Sequence, residues 1–200
     1  LELPGGELVE NDDCVFVSVN YRLGLFGFNC LPALCSGSEL TGNFALLDIA
    51  KALDWVRDNI SAFGGDPSNV TLSGFSAGGR DVMACLTSPL FADRFQKAIS
   101  FSGGITFADE NASARQIANA LAPLAVEDGR FSDEASAFDW LLTPDPAVRE
   151  WLYSVEPPTE IVTLHVSRSV GRLLTVIFEE VTLTEAEPVP PLPPPLLSSG

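Results

Sequence analysis

A single histidine, His165, is all that 200 residues contain, and although there are four cysteines, no two stand in a C-x-x-C spacing. A metal centre built on imidazole and paired thiolates is therefore not expected. Basic residues are also scarce, 11 Lys and Arg against 27 Asp and Glu. The resulting net charge of −16 argues against nucleic acid or an anionic membrane as partner. No long apolar run suggests a membrane span. The opening Leu1-Glu2-Leu3-Pro4 has neither an initiating methionine nor the basic and apolar regions of a secretory leader, which leaves the compartment open, secreted or cytoplasmic.

What is present is a soluble globular composition, 46% hydrophobic and 19% charged, in a chain long enough for one domain with a real core. Cys14 falls in an apolar run and Cys85 on an apolar helix face, where cysteine acts as a small hydrophobe. Cys30 and Cys35 stand close enough in one loop to bridge, subject to a geometry that sequence does not give.

The segment Asp13 to Asn20 is a nearly continuous β-branched run, the pattern of a strand buried on both faces. Residues 29–42 carry Pro32, Gly37 and Gly42 without periodicity and read as loop. From an Asn43 cap to about Ala62, Leu46, Ile49, Leu53, Val56 and Ile60 recur at steps of three and four, which predicts one amphipathic helix. Val70-Thr71-Leu72 follows as a short strand, then a helix over Ala77–Thr87, then a strand over Lys97–Ser102. Strands joined by helical crossovers make a parallel sheet.

Between the second strand and its helix lies Gly74-Phe75-Ser76-Ala77-Gly78. In a Gly-x-Ser-x-Gly turn the serine stands at a strained strand-to-helix apex, its hydroxyl held proud of the sheet, with Gly74 and Gly78 leaving room for the main chain. The Ala77 amide, at the helix N-terminus, points into the same space and suits an oxyanion. Ser76 is thus the candidate nucleophile and Ala77 half of an oxyanion hole.

The longer pattern from Phe63-Gly64-Gly65 through Val70-Thr71-Leu72 to Gly74, Ser76 and Gly78 resembles the type-B carboxylesterases of the α/β-hydrolase superfamily. So do Asn20-Tyr21-Arg22-Leu23-Gly24 and the helix positions Asn43, Leu47, Asp48, Trp55 and Asn59, and the resemblance runs from about Leu1 to Tyr153. It implies an α/β-hydrolase fold with a mostly parallel sheet and flanking helices, incomplete because strands upstream and downstream are missing. It implies a serine hydrolase of carboxylic esters acting through a Ser76 acyl-enzyme on a small-molecule ester, with no cofactor. It also implies that Ser102, in the Ser102-Gly103 pair after the third strand, lies near the nucleophile as a hydrogen-bonding support.

Departures from the family pattern are as informative. Phe75 replaces the usual Glu before the nucleophile, and Arg80 replaces a small residue. Gly5-Gly6 is too close to the first strand to be the family's histidine-glycine oxyanion loop and reads as a connecting turn, which puts that loop upstream of Leu1. The family's acid and histidine lie beyond the reach of this chain, and His165, in a strand-like run, is a weak substitute. The same residues also fit a non-catalytic esterase-like binding module, or an inactive fragment that does not fold stably alone.

In domain terms, residues 1–154 are read as the central part of the catalytic domain, with about 111–154 a helical cap or layer broken by Pro123, Gly129 and Pro144. Strand-like runs at Glu160–His165 and Leu173–Leu183 fall in an unassigned segment, 155–184. Residues 185–200 hold six prolines and are expected to be an extended, disordered tail.

Overall fold

The computed structural model describes residues 5–35, 41–154, 164–168 and 173–178. Among these residues five strands form one sheet: β1 (Cys14–Val19), β2 (Val70–Phe75), β3 (Lys97–Phe101), β4 (Leu164–Arg168) and β5 (Leu173–Phe178). Their spatial order is β3-β2-β5-β1-β4. Every pairing is parallel except β1 with β4, so the mostly parallel α/β sheet expected from the helical crossovers is present.

β1 is buried along nearly its whole length, because it carries apolar side chains to both faces. Val15, Val17 and Val19 point into the main core, and Cys14 and Phe16 pack on the other face with Val9. Val9 lies on α1 (Gly5–Asn11), so Gly5-Gly6 opens a helix and is not the connecting turn that the sequence suggested. A Cβ at Gly5 would overlap the Phe16 ring, and the helix lies on β1 at that close approach.

The long amphipathic helix is α3 (Phe44–Asn59), which follows the four-residue α2 (Gly24–Gly27) and continues as a 3-10 turn over Ile60–Phe63. Its Ile49, Leu53 and Val56, together with Ile60, enter the main core as the spacing requires, while Leu46 is half-buried at its margin. Asn43 does not cap it with its side chain, which instead donates to Thr41. Gly64, at φ 85°, ends the 3-10 turn in the left-handed region that glycine tolerates. α4 (Ala77–Thr87) packs Val82 and Cys85 against the same core as α3.

A second core lies under the helical region, where α5 (Glu110–Glu127), α6 (Glu134–Leu141) and α7 (Pro146–Ser154) enclose Ala118, Leu121, Leu141, Val148 and Trp151. Leu31 and Ala33 join this cluster. Pro123 lies inside α5, contrary to the break expected there. Proline removes one main-chain donor, and the burial of Leu121, Ala122 and Ala125 around it carries the helix past that position. Asp109 and Asp133 cap α5 and α6, accepting from Ala112 N and Ser136 N at 2.8 Å each.

Of the strand-like runs in the unassigned segment, Leu164 and His165 open β4 and Leu173–Phe178 form β5, which takes the central slot between β1 and β2. The readings for 160–163 and 179–183, and the proline-rich tail over 185–200, lie outside the described residues. No helix among the described residues is long and apolar enough to cross a membrane.

Candidate active site

The elbow is built where β2 and β3 leave the sheet together. Their register ends at Phe75 opposite Phe101, and Ser76 N donates one further bond to Phe101 O at 2.9 Å. The chain then turns abruptly, with Ser76 at φ 53° and ψ −111°, into α4. For a residue with a Cβ this is a strained conformation, held only because the strand before and the helix after both fix it. Ser102, one residue past β3, also has a positive φ, 54°, so both strands bend away at the same level.

Close main-chain packing explains the glycines. A Cβ on Gly74 would overlap the Gly78 carbonyl, so the last residues of β2 and the first turn of α4 touch backbone to backbone. A Cβ on Gly79 would crowd Phe101 O and the Gly103 main chain, which lets α4 sit directly on the end of β3. The Ser100 hydroxyl locks that contact by donating to Gly79 O at 2.9 Å.

Ser76 is exposed, Ala77 half-buried and Gly78 buried. The first bond of α4 runs from Arg80 N to Ser76 O at 3.1 Å, which leaves the amides of Ala77, Gly78 and Gly79 without a partner inside the helix. With the helix dipole they place partial positive charge at the N-terminus of α4, where Ser76 stands. The arrangement can present a nucleophile and stabilise negative charge next to it.

The Ser76 hydroxyl makes no hydrogen bond among the described residues, and neither does that of Ser102. Ser100, two residues earlier on β3, is the serine whose hydroxyl bonds to α4, through Gly79 O. His165 lies on β4, paired with Ser18, which pairs with Ile177, which in turn pairs with Ser73. Three strand spacings, roughly 14 Å, therefore separate it from the strand that carries Ser76, beyond hydrogen-bond reach.

Phe75 is 48% exposed and lies in register with Phe101, itself exposed, with Ile99 two residues back on the same side of β3. Arg80 is exposed on the first turn of α4 and lines a cavity of about 690 Å³. That cavity runs between α3 and α4 and is lined on one side by the segment leading into α5, with Phe28, Leu46, Met83 and Phe107 among its walls. Ser76 is not among its lining residues. No group of side chains among the described residues could hold a metal ion.

The profile of the carboxylesterase family matches residues 2–141. The para-nitrobenzyl esterase of Bacillus subtilis (strain 168) is 41% identical over 143 residues, 70% of this chain and 29% of that protein. Esterase E4 of Myzus persicae is 48% identical over 96 residues, 48% of this chain and 17% of that protein. A solved PNB esterase structure aligns with 68% of this chain and 28% of its own, at 38% identity and a TM-score of 0.48. The chain thus spans less than a third of the length of the curated relatives it matches. With the strand, elbow and helix of residues 70–87 inside the matched region, the chain belongs to the carboxylesterase family.

Proposed function

We propose that this chain carries the nucleophile of a carboxylic ester hydrolase and acts within a longer parent protein. Ser76 Oγ attacks the ester carbonyl while a general base takes its proton. The resulting oxyanion is held by the Ala77 amide and by amides from an upstream glycine loop. The alcohol leaves with a proton, and water then releases the carboxylic acid from the acyl-serine. Ser102, at the bend after β3, is assigned as the hydroxyl that supports the nucleophile once the full site is assembled, and Gly74 and Gly78 give the elbow room. The observation that carries this reading is the strained, exposed Ser76 at the N-terminus of α4.

The base and its orienting acid are assigned to the parent outside this chain, because His165 stands three strands away from β2. The isolated chain is therefore expected to show no ester turnover above buffer. General-base assistance is worth on the order of 10²–10⁴ in rate, and an oxyanion donor about 10²–10³. The test is labelling of the full-length gene product by a fluorophosphonate. A single adduct on Ser76, absent in Ser76→Ala, is the expected result. An unlabelled but folded full-length protein would instead favour a binding module, a reading supported by the exposed Phe75 and Phe101 beside the elbow. Ester hydrolysis by the isolated chain that His165→Ala abolishes would overturn the assignment of the base.

A further inference from the structure

Four cysteines are free, and they fall into two classes. Cys14 and Cys85 are buried in the two faces of the sheet core. Cys30 and Cys35 are half-buried at the two ends of one turn on the surface. That turn is tightly closed: Leu31 N donates to Asn29 Oδ1 at 3.1 Å, and both Leu34 N and Cys35 N donate to Leu31 O, at 2.9 and 3.3 Å. The Cys35 thiol comes back to Asn29 O at 3.8 Å, the carbonyl of the very peptide whose nitrogen belongs to Cys30. The Cys35 thiol thus lies against the main chain of Cys30, near enough to the Cys30 thiol to feel its charge.

We propose that Cys30 and Cys35 form a reversible intrachain disulfide that closes this turn, a modification site for small disulfide oxidants of the glutathione class. One cysteine thiolate attacks the oxidant's sulfur, breaking its S–S bond and releasing one thiolate. The second cysteine, deprotonated, attacks the protein-bound sulfur, forms the Cys30–Cys35 bond and releases the second thiolate. Two protons leave the protein and two electrons pass to the oxidant, which ends as two thiols.

The surroundings give the bridge a consequence. The Cys30 thiol donates to Glu110 O, the first residue of α5, at 3.4 Å, and Cys30 and Glu110 both line the 690 Å³ cavity. Oxidation removes that donor and so unties the turn from α5 at the cavity wall. The middle of the turn stays anchored, because Arg149 donates twice to Ala33 O, at 3.0 and 2.7 Å, and Leu31 is fully buried in the helical core. Burial is the first cause holding both thiols above the ordinary cysteine value, and each also feels Glu110. Thiolate is therefore scarce at neutral pH and bridge formation speeds up as the pH rises.

The experiment uses the full 200-residue chain equilibrated in glutathione buffers of graded ratio, quenched by acid, alkylated and mapped by mass spectrometry without reduction. The expected result is a Cys30–Cys35 cross-linked peptide that appears with oxidised glutathione, disappears with reduced glutathione and forms about ten-fold faster per pH unit. Cys14 and Cys85 should stay as thiols. Cys30→Ser should leave glutathione trapped on Cys35, and a Cys14→Ala, Cys85→Ala variant should form the same bridge as the natural chain. Glutathione on both Cys30 and Cys35 of one molecule, a bridge to Cys14 or Cys85, or two unreacted thiols would each overturn the proposal.

Discussion

Arg22 grips Asp48 with both prongs of its guanidinium, Nε to Oδ2 at 2.7 Å and Nη2 to Oδ1 at 2.7 Å, while its own amide donates to Oδ2 at 3.1 Å. This fixes the segment after β1 against α3, and the guanidinium also covers the Phe44 ring at 5.5 Å. Arg22→Lys keeps the charge and loses the fork. Because the arginine side chain is 43% exposed, solvent screening limits the loss of stability to about 0.5–1 kcal/mol, read from urea unfolding. Asp48→Asn should cost a similar amount, and the double variant little more than either alone.

Gly74→Ala tests the elbow without touching the proposed nucleophile. The added methyl group meets the Gly78 carbonyl, so β2 and α4 must separate and Ser76 must move with them. In the full-length protein, fluorophosphonate labelling of Ser76 should slow by about 10²-fold, the order of penalty for misplacing a reacting group by an ångström. Labelling at the natural rate would show that the close contact is not needed.

Asp54 supplies a pH signature. Its carboxyl is held below the usual value of 3.8 chiefly by hydrogen bonds from Arg94, at 3.2 Å to each oxygen, with Arg57 and Lys51 nearby. The folded state thus binds this proton less readily than the unfolded state. The stabilisation is complete above the unfolded value and is lost as the pH falls through the lower, folded one. Asp54→Asn should therefore flatten the acid limb of the stability–pH curve below about pH 4 and leave its slope between pH 5 and 8 unchanged. Urea midpoints at each pH give the comparison.

Trp151 is the keystone of the helical core. It is 2% exposed, its Nε1–H donates to Asp128 Oδ2 at 2.7 Å, and its ring meets that of Trp140 edge-on at 5.7 Å. Trp151→Ala should cost about 3–5 kcal/mol. Trp151→Phe keeps most of the volume, loses the hydrogen bond and should cost nearer 1 kcal/mol. Equal losses for the two would mean that packing contributes little here.

Much of this was legible in the sequence wherever the determinants are local. The stripe of Ile49, Leu53, Val56 and Ile60 needs only the helical repeat, and the elbow needs only two glycines around a serine between a strand and a helix. The helix through Pro123 was not legible, because tertiary burial of Leu121, Ala122 and Ala125 overrides a local signal. Nor could the sequence show that the Ser100 hydroxyl bonds to Gly79 O, because that bond depends on how closely α4 sits on the end of β3. The central position of β5 is the least local fact of all. Leu173–Phe178 reads as a strand, but nothing in its own residues says that it enters between β1 and β2.

That placement governs the order in which the molecule can be assembled during synthesis. β1 and β2 have no direct pairing with each other, and the strand that joins them is made about a hundred residues after β2. At 5–20 residues per second the nascent chain waits roughly 5–20 s with two apolar strand edges open. Its sheet cannot zip up progressively from the ribosome, and closing so long a loop puts the barrier late and makes folding slow. The growing polypeptide is thus a natural client for holdase chaperones, and its yield on expression should depend more on their supply than on the stability of the finished fold.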